Sequence, residues 1–172
     1  MSILDPILNL PILSRIRRNH GLEHATLHVL SRRHPGLKMG GYSDFNGFWL
    51  LGDLEEKDIR EGVDEALARL RNGETDLAVH PNCGTNFATA GSLAGMAGLL
   101  GMLGVGSSRR EKLERLPMVA VFATLALILA QPLGLRIQKN LTTSGEPGDL
   151  EVTQVIRSQK GRMKTHRILT RG

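Results

Sequence analysis

Two stretches of this chain carry no charge at all: residues 87–106, 20 in a row, and residues 117–135, 19 in a row. Coiled as an α-helix, either one would cross a hydrocarbon core of about 30 Å. The remainder of the 172 residues is polar enough to bring the mean hydropathy to −0.12. That figure averages two different materials, a polar domain and an apolar hairpin. The fold class expected is therefore α+β: a small helix–hairpin–helix–strand domain, a two-helix transmembrane hairpin and a C-terminal β-ribbon.

Charge narrows the partners. The net charge is +5 and the isoelectric point near 9.9, yet aromatic residues make up only 3%, which leaves no stacking platforms for bases. The basic residues come in short groups: Arg15, Arg17 and Arg18; Arg32 and Arg33; Arg109, Arg110, Lys112 and Arg115; and residues 157–171. Several flank apolar segments, where anionic headgroups would meet them. The expected partner is the lipid bilayer, not nucleic acid. Glycines at 91, 95, 98, 101, 104 and 106 suit close helix–helix contact in lipid, within the hairpin, with a membrane-protein partner or in a homo-oligomer. One cysteine excludes an internal disulfide. Residues 1–13 lack a basic leader and contain Pro6 and Pro11, so they read as a lead-in on the membrane surface, not a signal peptide. With a free thiol and no signal peptide, the domain and both termini are expected on the cytoplasmic side of a two-span protein.

Along the chain, residues 16–33 show helical periodicity through Leu22, Leu27, Val29 and Leu30, with Asn19 as N-cap and His34-Pro35-Gly36 as the stop. Residues 38–52 read as a β-hairpin, with Asn46-Gly47 supplying the turn. A second helix runs from Asp53 or Glu55 to Arg71 on Ile59, Val63, Ala66, Leu67 and Leu70. Residues 75–79 read as a strand, 107–116 as a basic loop and 142–148 as a linker. Residues 150–156 and 163–170 are two strands around Lys160-Gly161. Tyr42 and Trp49 read as hairpin packing or interface anchors, and His34 and His166 as solvated. The expected segments are 1–14, a membrane-surface lead-in; 15–86, a metal-binding α+β domain; 87–135, the transmembrane hairpin; and 149–172, the ribbon.

His20, Glu23 and His24 form an H-x-x-E-H cluster. Residues four apart on a helix share a face, their Cβ atoms about 6 Å apart, and paired imidazoles with an adjacent carboxylate are what helical metal motifs use. His28 extends that face as a spare ligand. Far along the chain, His80 and Cys83 flank Pro81-Asn82, a turn able to hold a nitrogen and a sulfur ligand on one side. A plainer reading stays open: a polar helix face, His80 capping a turn, Cys83 as a small buried hydrophobe, Thr85 and Asn86 capping the next helix.

The two blocks His-Gly-Leu-Glu-His-Ala-Thr (20–26) and His-Pro-Asn-Cys-Gly-Thr-Asn-Phe (80–87), followed by an apolar span, resemble the YqhQ-like family of bacterial membrane proteins, predicted metal-dependent enzymes of unknown function. Ala25 and Asn82 stand where that family has lysine and arginine, and two spans are fewer than it carries. The resemblance therefore implies a related uncharacterised bacterial group. It implies His20, Glu23, His24, His80 and Cys83 as the functional set. His20, His24, His80 and Cys83 are the expected ligands of zinc or another divalent transition metal. Three protein ligands would leave a position for water, with Glu23 as catalytic base for hydrolysis of an amide or ester bond, peptidase chemistry included. Four ligands would close the site. The protein would then be a non-catalytic, metal-stabilised component in assembly or scaffolding of a membrane complex.

Overall fold

Pro11 opens a helix instead of interrupting one. The structure, a computed structural model, describes residues 5–160 and 163–172. A single turn, α1 (Asp5–Leu8), precedes the 23-residue helix α2 (Pro11–Arg33). Proline suits the first helical position because its missing N–H has no partner there in any case. The expected N-cap at Asn19 is thereby corrected, since the helix starts after Leu10. Asn19 is fully buried within α2, where its amide donates to the Asp44 and Phe45 carbonyls and accepts from the Thr170 hydroxyl. Asparagine is disfavoured inside a helix unless such partners hold it.

The described residues form five helices and one four-stranded antiparallel sheet, divided between two compact units. The first comprises Met1–His80 with Lys139–Gly172, the second Pro81–Gln138. In the first unit, β1 (Gly40–Asp44) and β2 (Gly47–Leu51) pair across a two-residue turn, Phe45–Asn46, with the expected turn residue Gly47 already in β2 opposite Asp44. Gly47 adopts φ 137°, and a Cβ there would strike the Ile168 carbonyl, so the turn needs glycine twice over. Helix α3 (Glu56–Arg71) buries Ile59, Val63, Ala66, Leu67 and Leu70, the periodicity the sequence shows. The strand expected over 75–79 is instead a 3-10 turn, Thr75–Ala78, followed by extended Val79. Its donors are consumed locally, Leu77 N–H by Glu74 and Val79 N–H by Asp76, leaving no strand edge to pair.

Strands β3 (Glu151–Lys160) and β4 (Met163–Arg171) complete the sheet in the order β1-β2-β4-β3. Part of the expected turn at Lys160-Gly161 lies outside the described residues, as do Met1 to Leu4 of the lead-in. Phe48, Leu50, Val155 and Ile168 join α2 and α3 residues in the core. Each fully buried leucine or phenylalanine contributes about 1.5–3 kcal/mol. In the adjacent register Tyr42, Trp49, Arg167 and Ile156 line up across all four strands. There the Tyr42 and Trp49 rings stack at 6.3 Å and Arg167 pairs with Asp44 at 2.7 Å.

The second unit is a helical hairpin of α4 (Gly84–Gly101) and α5 (Arg109–Ile137). The expected basic loop is corrected, since 109–116 is the first part of α5 and Pro117 lies inside it. Val119 packs against Gly98 and Gly101, whereas nothing lies within 4 Å of a Cβ built on Gly91 or Gly95. Among the described residues one helix, α5 continued to Thr142 by a π-helical turn (Gln138–Thr142), is long and apolar enough to cross a membrane. Of the two expected spans, 87–106 does not meet that measure. At 18 residues α4 is only about 27 Å long, and its Gly, Thr, Ser and Asn residues are uncharged without being apolar.

His166, expected to be solvated, is fully buried, paired across the sheet with Leu50 and Arg157. Neither ring nitrogen has a hydrogen-bond partner. Burial, reinforced by the charges of Arg157 and Lys164 and partly offset by Glu56 and Glu55, holds it below its ordinary value of 6.5. A depressed histidine stabilises the fold above its unfolded pKa, and that contribution is lost as pH falls through 6.5, because the unfolded chain then binds the extra proton. Unfolding midpoints should therefore drop between pH 7 and 5, with a shallower drop in His166→Leu. Equal slopes in thermal melts of the two proteins would contradict this.

Candidate metal centre

The site is built on the inward face of α2. His20, His24 and His28 recur every four residues, so they climb one stripe of the helix. The 3-10 turn and the segment after it run beside that stripe and offer carbonyls. His24 Nδ1 lies 2.8 Å from the Ala78 carbonyl and His28 Nε2 lies 2.9 Å from that of Val79. His20 Nδ1 lies 2.9 Å from the Thr142 carbonyl. A carbonyl only accepts, so each of these nitrogens carries the ring proton. In His20 and His24 the lone pair is then on Nε2. Histidines that bind metals show the same pattern, one nitrogen donating to a backbone carbonyl and the other presented to the ion.

The rings form a file. His20 and His24 are 4.4 Å apart between centroids, His24 and His80 5.7 Å, and His80 and His28 4.8 Å. Burial, reinforced by the neighbouring His28, holds the His80 imidazole below its ordinary value, which favours the neutral ring. Three residues beyond His80, buried Cys83 stands at the N-terminus of α4. His20, His24 and Cys83 form a group that could hold a metal ion, one potential ligand atom of each lying within 4.8 Å of the others. Nitrogen and sulfur donors together suit a borderline-soft transition metal.

Two expected members fall outside this group. His80 lies beside it, between His24 and His28. Glu23 is almost fully buried and turned towards β1, where a Cβ added to Gly41 would come within 2.8 Å of its Oε1 and 2.6 Å of the Trp49 carbonyl oxygen. Gly41 thus makes room for the carboxylate, a role no local pattern announces. The carbonyls of Ala78, Val79 and Thr142 are equally invisible in the sequence, since every residue type has one.

An α+β protein with a histidine–cysteine group suited to a metal and one helix of membrane-spanning length is the class these features define. The chain belongs to DUF6391, a domain of unknown function, whose family profile matches residues 15–155. It is 39% identical over 94 residues to an uncharacterized protein of Picosynechococcus sp. (strain ATCC 27264 / PCC 7002 / PR-6), an alignment covering 49% of this chain and 46% of that protein. The matched region thus spans less than half the length of that relative. No solved structure matches.

Gly41→Ala should press on both Glu23 and the β2 backbone. The expected loss is about 1–3 kcal/mol, as for other overpacked sites, read as a lower denaturation midpoint. A midpoint equal to that of the unaltered chain would show that the carboxylate is not confined there.

Proposed function

We propose that this protein is a membrane-bound, metal-dependent hydrolase of amide or ester bonds, with His20, His24 and Cys83 as ligands and Glu23 as general base. The observation that carries the reading is the anchoring of two imidazoles through Nδ1–H to backbone carbonyls beside a buried thiol. That arrangement puts the lone pair on Nε2, the tautomer a metal-binding histidine needs. An ion held by three protein ligands, zinc being the best match to this donor set, would supply Lewis-acid activation of water and of the scissile carbonyl. Glu23, whose carboxylate faces β1, would act as base by turning to the attacking water, taking its proton and returning it to the leaving group. Free thiols are kept reduced in the cytosol, so the reading puts this unit on the cytoplasmic side.

Strand pairing sets a condition on the membrane part of the proposal. β2 precedes the helical hairpin and β4 follows it, yet Leu51 pairs with Thr165, so the chain must leave and return on one side. A crossing by α5 therefore requires α4 to cross with it, its shortfall in length and hydropathy made up by packing through Gly98 and Gly101.

A second reading, a closed structural metal site in a scaffold of a membrane complex, draws on the near-complete burial of His24 and Cys83 and on His80 as a fourth ligand at hand. Elemental analysis of the full chain purified in detergent should find about one transition-metal ion per chain, reduced at least tenfold by His24→Ala, since the loss of a ligand should exceed the effect of losing an outer-shell partner. Glu23→Gln should keep the ion while abolishing turnover of peptide and ester substrates. If Glu23→Gln changes no activity and Cys83→Ser unfolds the domain, the structural reading holds. Absence of stoichiometric metal from the unaltered chain would end both.

A further inference from the structure

A second feature of the first unit uses none of these ligands. A cleft of about 420 Å³ opens between the N-terminal part of α2 and the segment that follows α5, lined by Asn9, Arg17, Arg18, Lys139, Asn140 and Glu146 among others. Its lining is rich in donors, with three cations and two side-chain amides against one carboxylate. Arg17 holds the floor, its Nη2 donating to the Asn140 and Thr143 carbonyls at 3.1 Å each. Arg18 pairs with Asp149 and also donates to the Pro147 carbonyl, and Lys139 pairs with Asp76 at 2.9 Å. Both acidic partners are exposed, Asp149 by 76% and Asp76 by 89%, so these are surface pairs of small energy that an entering anion can share. Arg18 also has five N–H donors, and its bonds to Pro147 and Asp149 both come from Nη1.

Where the cleft lies along the chain indicates the source of the anion. Lys139 and Asn140 belong to the last residues of the helix Arg109–Thr142, the one of membrane-spanning length, so they fall at headgroup depth if that helix crosses. On the opposite wall, Asn9 sits among the exposed aliphatic residues Ile7, Leu10 and Ile12. A donor-rich hollow with an apolar rim on one side and a span end on the other matches an anionic phospholipid, phosphate inside and acyl chains outside.

We propose that this cleft binds the phosphate of an anionic lipid headgroup. The phosphate recognition stands apart from the metal reading, while the lipid source rests on the membrane part of it. The test is native mass spectrometry of the full chain in detergent, titrated with phosphatidylglycerol, with phosphatidylcholine and with inorganic phosphate. One phosphatidylglycerol should be retained per chain, about tenfold over phosphatidylcholine. Lys139→Gln and Arg18→Gln should each weaken retention about fivefold, the usual contribution of a basic residue at a lipid surface, and Lys112→Gln, in the first turn of α5, should leave it unchanged. Lys139 is largely exposed, so its variant keeps the test valid if Arg18→Gln misfolds. Equal retention of the two lipids, or indifference to Lys139→Gln, overturns the proposal. Displacement by inorganic phosphate at equal concentration overturns the lipid source and keeps the phosphate site. Metal content, measured on the same samples, reports separately on the hydrolase reading.

Discussion

Strand β4 enters the sheet between β2 and β3, and the first unit depends on that insertion. Leu51 pairs with Thr165, which closes a loop containing the whole helical hairpin. Loop-closure entropy grows only as the logarithm of length, so doubling such a loop costs about 0.6 kcal/mol more. What offsets it is the ladder together with buried Phe48, Leu50 and Ile168. The same insertion carries Thr170 to Asn19, the Arg15 guanidinium to the Thr170 carbonyl and the Thr142 carbonyl to His20. The candidate metal centre, built on α2, is thus buttressed by chain more than a hundred residues away.

Order in the site comes from backbone carbonyls more than from side chains. Three histidines on one helical stripe would point into solvent in an isolated peptide, free to rotate and to take up protons. Here the segment around Thr75–Ala78, unable to form a strand because its N–H groups are used within the turn, turns its last carbonyls to His24 and His28. A failed strand becomes the outer wall of the site. The glycine at position 41 does the equivalent service for Glu23 from the sheet side.

Much of the architecture was legible in local pattern. α3, the β1–β2 turn and the C-terminal strands follow from apolar periodicity and from Asn46-Gly47, because those elements are decided within a few residues. Two of the errors share one cause. Asn19 looks like a cap and His166 like a surface residue only when distant chain is left out, whereas 87–106 is misjudged on its own composition. Asn19 has partners on β4 and at the β1–β2 turn, His166 is covered by packing around β4, and α4 is uncharged but too rich in glycine and hydroxyl residues to be strongly apolar.

The spacing of His20, Glu23 and His24, and the His80–Cys83 pair, were determined by the order of residues alone, since a helix places every fourth side chain on one stripe whatever surrounds it. Which of them converge was decided only by tertiary structure. His20, His24 and Cys83 form one group, His80 stands beside it against His28, and Glu23 turns to β1. The reason is physical: convergence depends on the carbonyls that anchor each ring and on the room left at Gly41, and both are supplied by segments remote in the chain.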